Sequence, residues 1–197
     1  MSPVIDPLTL IFASIFTSNI LLANFLGTCS FIAISKDVNS ANGLGIAVIV
    51  VLVLSSVISW PLLHFILLPL NMIYLDLFVY IIVIAAVVQA LEMIIERASP
   101  ALYMSLGIYL PLIVANCAIL GVVLFMEIRN YDFFQAAVFG FGSGVGWWLA
   151  IVAMAAMRKK IDKAPVPAGL QGPGITLITM GFMAMAFVGF SGILRVQ

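Results

Sequence analysis

Cys29 and Cys117 are the only cysteines of this 197-residue chain, and each follows a small polar residue inside a long apolar run, as Gly27-Thr28-Cys29 and Ala115-Asn116-Cys117. Thiolates are ligands for soft metal centres, iron-sulfur clusters and zinc among them. A 2Fe-2S centre ordinarily takes four thiolates, so this chain could supply two, and a second chain would have to supply the others. Zinc meets the same shortage, because His64 is the sole histidine and stands at the far end of its apolar segment. The plainer reading is packing, since an unligated cysteine behaves as a small, soft, commonly buried side chain. On residue type alone packing is the more frequent outcome, and the metal reading stands beside it.

The elements that would have to position these thiols are membrane helices. The chain is 64% hydrophobic and 8% charged, against about 25% charged for a soluble domain. Its mean hydropathy is +1.28. Lysine plus arginine equals aspartate plus glutamate, eight each, so no basic surplus points to nucleic acid. The opening Met1-Ser2-Pro3-Val4-Ile5-Asp6 carries no lysine or arginine and leads to no small-residue cleavage site. The first apolar run therefore reads as a retained span rather than a removable signal. Two cysteines in apolar surroundings do not make a disulfide framework.

A span needs about 20 mostly apolar residues. Six stretches qualify: 8–34, 43–68, 72–95, 101–126, 133–157 and 173–193. The links between them run Ser35 to Asn42, Pro69 to Asn71, Glu96 to Pro100, Glu127 to Asp132 and Arg158 to Gly172. Positively charged short loops are retained in the cytoplasm. Lys36, Arg97, Arg158, Lys159, Lys160 and Lys163 fall on one side, and Arg129 and Arg195 on the other. That asymmetry predicts that the first, third and fifth links lie in the cytoplasm and both termini outside.

The first stretch exceeds a simple span and is interrupted at Ser18-Asn19, Asn24 and Gly27-Thr28. A broken or re-entrant helix is expected, because irregular backbone at membrane depth occurs where protein or a cavity satisfies it. The alternative is that Asn and Thr bond a neighbouring helix while Gly allows close approach. Residues 27–33 can be laid over 115–121, and each cysteine segment is followed by a glycine pair leading a span, Gly43-Leu44-Gly45 and Gly144-Val145-Gly146. The chain then reads as one integral domain over 1–197 with repeats at about 1–98 and 99–197. Three spans per repeat require the halves to be inverted in the membrane. The expected fold is an all-α membrane protein with six transmembrane helices in two inverted three-helix repeats, the cysteines carried on broken or half helices. Inversion would bring Cys29 and Cys117 in from opposite faces towards the midplane.

Other polar features read more plainly. Gly142-Ser143-Gly144-Val145-Gly146 lacks the preceding strand of a phosphate cradle, so close helix packing is expected. Glu92, one turn after Gln89, could carry an ion or proton, but Glu96 and Arg97 put it near the helix end, where snorkelling or pairing is the expectation. Trp60, Trp147, Trp148, Tyr74, Tyr80 and Tyr131 read as interfacial anchors or packing aromatics. The run from Arg158 to Lys163 reads as the cytoplasmic retention signal and secondarily as a docking surface.

Ala23-Asn24-Phe25-Leu26-Gly27 leading to Cys29, Gly43 to Leu52, Leu106 to Ile113 leading to Asn116-Cys117-Ala118-Ile119, and Phe141 to Trp147 together resemble the E subunits of sodium-translocating NADH:quinone reductases. Val166 to Leu170, Gly174-Ile175-Thr176 and Phe190-Ser191-Gly192 extend the resemblance over nearly the whole chain. The A subunits of Rnf ion-translocating ferredoxin:NAD oxidoreductases are closely similar. The short link at Pro69-Leu70-Asn71 is more like the Rnf pattern, and the second-half motifs are more like the reductase. The resemblance implies an integral subunit without independent catalysis, and hence no catalytic residues of its own. It implies a homologous sister subunit of inverted topology sharing an intramembrane 2Fe-2S cluster, with Cys29 and Cys117 as this chain's ligands. It also implies a cytoplasmic NADH-oxidising flavin/iron-sulfur subunit and flavin-bearing membrane subunits (FAD, FMN and riboflavin) that pass electrons to ubiquinone as sodium is exported. A secondary transporter or channel would fit the inverted repeat equally, but should concentrate ionisable or unwound polar groups at the midplane.

Overall fold

In the computed structural model, which describes residues 6–70, 75–98, 113–114 and 116–189, the chain begins with a helix too short to cross a bilayer. Helix α1, Pro7–Phe12, starts on a proline whose missing N–H would be unpaired there anyway. It widens into a π-helical turn over Ala13–Thr17, which Ser18 closes by donating its N–H to the Ala13 carbonyl at 2.7 Å. Residues 18–27 are non-helical. Helix α2, Thr28–Ile34, then begins after Gly27, whose φ of +83° suits a residue without Cβ. The break thus falls on the Ser18-Asn19 to Gly27-Thr28 stretch where the polar interruptions lie.

Helix α3, Val38–Leu62, starts before the expected boundary at residue 43. Asp37 caps it, accepting from the Ser40 N–H at 3.0 Å. Pro61 lies inside α3 and can neither donate to the helix ladder nor tolerate the ideal carbonyl position one turn back. A π-helical turn over Leu63–Leu67 follows it, consistent with relief of that clash. Helix α4 runs Asp76–Ala98, α5 Cys117–Ile128, α6 Phe133–Ile161 and α7 Pro173–Val188. Helix α6 opens with a capping box between Asp132 and Gln135. It continues through Arg158-Lys159-Lys160, so the expected fifth link starts later, beyond Ile161.

Among the described residues the regular structure is entirely helical. Val38–Leu67, Asp76–Arg97 and Phe133–Ile161 are long and apolar enough to cross a membrane, whereas Pro7–Thr17, Cys117–Ile128 and Pro173–Val188 are shorter apolar helices. Half of the expected span at 101–126, residues 101–112 and 115, lies outside the described residues. So do the ends of the spans expected at 72–95 and 173–193, as well as Tyr74 and Arg195.

The centre of the fold is the packing of α3 on α6, and glycines make it possible. A Cβ added at Gly140 would come 2.6 Å from Ser56 Oγ, and one at Gly144 would come 3.0 Å from Ile49 Cα. Gly45 of α3 lies directly under the Trp148 indole, whose Nε1–H donates to Asn42 Oδ1 at 2.8 Å. On its other side α6 receives α1 and the π-helical turn that follows it, with Gly142 against Ser14 and Gly146 against Ile15. Small residues that admit a neighbouring backbone are how apolar helices gain packing contacts in lipid. The glycine run of α6 is therefore a packing surface, as its sequence context suggested. Large apolar side chains such as Leu8, Phe65, Ile82, Phe134 and Phe182 remain exposed on the outside, as suits a lipid-facing or subunit-facing surface.

A joint between two helix starts

The break between α1 and α2 is held by one amide. Asn19, buried, donates from Nδ2 to Ile15 O at 3.0 Å and to Gly146 O at 2.9 Å. Its Oδ1 accepts from Leu21 N at 3.0 Å and Leu22 N at 3.2 Å. All its hydrogen-bonding capacity is used. Both readings of the interruption thus hold at one residue: the helix breaks, and the asparagine bonds a neighbouring helix. Since Asn19 satisfies its own break, it has nothing left to offer an ion.

After Asn19 the chain lies against the start of α5. Leu26 sits over Gly121, where an added Cβ would meet Leu26 Cδ1 at 2.6 Å. At Gly27 an added Cβ would be 2.9 Å from Asn116 Oδ1, 2.9 Å from Trp147 Nε1 and 3.1 Å from Ala118 Cβ. Gly27 is the N-cap of α2 and Asn116 the N-cap of α5. The two short helices that carry the cysteines therefore start from one joint, with Cys29 two residues beyond Gly27 and Cys117 the residue after Asn116. Phe25, just before the joint, has φ +55°, a left-handed conformation that costs a bulky residue on the order of 1–3 kcal/mol. Its ring and both thiols are exposed.

Of the two helix starts, only that of α5 has a side-chain cap. Gly27 O accepts from Ser30 Oγ at 3.0 Å and Phe31 N at 3.1 Å. Asn116 Oδ1 accepts from Ala118 N at 3.0 Å. Beside Cys117 is a hollow of about 230 Å3, lined by Ile81 and Ile84 of α4, Val114, Leu120 and Asn116. An apolar hollow with one amide suits a soft, sulfur-ligated group better than a hydrated cation. Among the described residues no three side chains of His, Cys, Asp or Glu come together. The donor set offered here is therefore two exposed thiols, half of what a tetrathiolate centre requires.

The remaining candidates divide. Trp60 donates to Tyr131 O at 2.8 Å and stacks on His64 at 4.1 Å between ring centroids, a packing role that leaves His64 remote from either cysteine in sequence and partners. Glu92 is half-buried and Gln89 exposed on α4. Arg158 needs correction: it is buried in the last turn of α6 and donates to Ile32 O at 3.0 Å and Ser35 Oγ at 2.8 Å. It clamps the end of α2 and is not a free charge in a loop. Asp37, at the same end, is held below the usual carboxylate range, first by the Ser40 backbone N–H and then by its hydroxyl.

Two contacts go beyond what the sequence signals. Trp147 reads there as an anchor or packing aromatic, yet its indole nitrogen lies at the Gly27 joint. Tyr80 donates to Glu127 Oε2 at 2.9 Å, tying α4 to the end of α5. Neither pair has a local signature, since the partners are far apart in the chain.

The family described as "Rnf-Nqr subunit, membrane protein" matches residues 8–194. A Marinobacter nauticus protein, named as the E subunit of an Na(+)-translocating NADH-quinone reductase, is 50% identical over 196 residues, covering 94% of this chain and 97% of the relative. A protein of the same name from Yersinia enterocolitica is 50% identical over 192 residues with the same coverage. Another from Chlamydia muridarum is 48% identical over 190 residues, covering 90% of this chain and 78% of the relative.

Proposed function

This chain belongs to the Rnf-Nqr family of membrane subunits, and on that premise we propose that it is the electron-relay subunit of a sodium-translocating NADH:quinone reductase. Cys29 and Cys117 give two thiolates to a 2Fe-2S cluster, and a homologous sister subunit of inverted topology gives the other two. Held by Cys29 and Cys117 together with the sister subunit's thiolates, the cluster would supply one-electron transfer between the cytoplasmic NADH-oxidising subunit and the flavin-bearing membrane subunits. Further flavin carriers pass electrons to ubiquinone.

The observation that carries this reading is the joint, where the N-cap of α2 abuts the N-cap of α5. It ties together the helix starts that bear two otherwise distant thiols. Both thiols are exposed, as ligands completed by a second chain must be. The apolar hollow beside Cys117 would keep water from the sulfur once a partner covers it. In this reading the chain has six spans in inverted repeats at about 1–98 and 99–197, in the bacterial inner membrane with both termini periplasmic. A transporter reading is less well supported, because the unwound segment commits its one buried amide to its own backbone and to Gly146. The Rnf relative is distinguished by the electron donor of the purified complex, ferredoxin rather than NADH.

The test is to purify the whole complex carrying Cys29→Ala or Cys117→Ala and measure iron, acid-labile sulfide and the electron paramagnetic resonance signal of the reduced state. Loss of the intramembrane signal with subunits still assembled is expected. Full retention of iron and sulfide in both variants refutes the shared cluster. Labelling of Lys159 from the periplasmic side of intact cells would overturn the orientation.

A further inference from the structure

The link between α2 and α3 meets the end of α6 around an open hollow of about 510 Å3, lined by three exposed lysines, Lys36, Lys159 and Lys163. A buried tie sets the walls, since Arg158 joins the end of α2 to α6 through Ile32 O and Ser35 Oγ. Asp37 and Asp162 also line the hollow. Asp37 Oδ2 is already committed, accepting from the Ser40 N–H and hydroxyl at 3.0 Å each. Three cations thus face two carboxylates, one of them engaged elsewhere. Helix α6 has 29 residues, so it is about 43 Å long, and a bilayer with its headgroup regions is about 40–45 Å thick. The last turn of α6, and with it the hollow, therefore falls at headgroup depth. Towards the membrane interior the wall continues on one side of the helix pair. Asn39, which lines the hollow, shares a face of α3 with Asn42 and Ile46, and Lys159 shares a face of α6 with Val152 and Trp148. The bond from Trp148 Nε1 to Asn42 Oδ1 shows that these two faces meet. Ile46 is exposed and Val152 half-buried, so this continuation is apolar and open.

We infer that the hollow binds an anionic phospholipid, with the headgroup phosphate held by Lys36, Lys159 and Lys163 and an acyl chain lying along Ile46 and Val152. An ammonium group serves phosphate as a point charge, and three from two segments surround it without demanding a fixed fork geometry. The Asn39 amide adds a donor for a phosphate or glycerol oxygen. Basic pockets at the ends of membrane helices recognise anionic headgroups in this way. An acidic protein surface would satisfy the lysines, but it would have no use for the apolar continuation at Ile46. A lipid uses both, and headgroup depth is where its phosphate lies. The inference does not depend on the shared-cluster reading of the two thiols.

The experiment places the complete complex in phosphatidylcholine nanodiscs containing a small share of phosphatidylglycerol with a photoreactive label near its headgroup, and maps the labelled peptides of this subunit. Labelling of the segments 36–39 and 159–163 is expected. The triple variant Lys36→Gln, Lys159→Gln, Lys163→Gln should lose about tenfold or more of it. Lys160→Gln removes the same kind of charge from the same helical turn but outside the hollow, and should leave labelling nearly unchanged. All four lysines are exposed, so both variants should assemble, which gel filtration of the complex checks. Undiminished labelling in the triple variant, or an equal loss in Lys160→Gln, overturns the inference. Equally strong labelling by a matched phosphatidylcholine probe does so too, because the headgroup charge would then carry no weight. Displacement of the probe by millimolar glycerol phosphate would give the site to a soluble phosphate instead of a lipid. No labelling of either segment in the assembled complex would give the hollow to a neighbouring subunit, and the lipid assignment would fall.

Discussion

Gly27→Ala tests the joint directly, and a second glycine of the same chain supplies the control. At φ +83° an alanine carries the cost of a left-handed backbone, about 1–2 kcal/mol. Its methyl would also lie 2.9 Å from Asn116 Oδ1 and from Trp147 Nε1 and 3.1 Å from Ala118 Cβ. None of these yields easily: Trp147 is fully buried, Asn116 is held by Ala118, and Ala118 is itself buried in α5. Overpacking of this kind costs about 1–3 kcal/mol. Gly172, at φ +89° and ψ −128°, has nothing within 4 Å of an added Cβ, so Gly172→Ala carries a backbone cost alone, about 1–3 kcal/mol for a region that glycine adopts and other residues rarely do. Denaturant titration of the purified complex in detergent, with iron determined on the same samples, should place Gly27→Ala about 2–5 kcal/mol below the unaltered protein and Gly172→Ala about 1–3 kcal/mol below it. Gly27→Ala should also lose iron, because a widened joint separates the two cysteine-bearing helix starts. Equal destabilisation by the two substitutions, with iron intact in both, would show that the contacts at Gly27 carry no weight.

Asn19→Leu strips acceptors from the buried Leu21 and Leu22 N–H groups and cuts the tie to Gly146; a loss of about 2–4 kcal/mol is expected in the same titration, and an unchanged midpoint refutes it. Arg158→Lys keeps the charge but cannot reproduce two donations from one guanidinium nitrogen in the same geometry, so proteolytic nicking near residues 35–37 should increase; protection equal to the unaltered chain would show the clamp to be dispensable. Asp37 has a depressed folded pKa, so its contribution is present above the carboxylate's unfolded pKa and is lost as pH falls through the folded one. Asp37→Asn should flatten that acid-side fall in thermal stability, and an identical pH profile would rule out the cap as its source.

The membrane class, the place of the first break and the packing use of the glycine run are all legible in the order of residues. Those features are local: apolar length at 43–68 and 133–157, polar interruptions at Ser18-Asn19 and Gly27-Thr28, and small residues at Gly142, Gly144 and Gly146 are each read within one segment. Boundaries are less legible, because Asp37 starts α3 by capping and α6 runs through Arg158 by burying a guanidinium that composition counts simply as charge. That Gly27 touches Asn116 and Trp147, that Leu26 covers Gly121 and that Asn19 reaches Gly146 emerge from the folded chain and from nothing simpler. A single sequence records which side chains can adopt a conformation but not which distant backbone will lie against them. Two cysteines 88 positions apart therefore read as separate small residues, until the packing of α2 and α5 against α6 gives their helices a common origin.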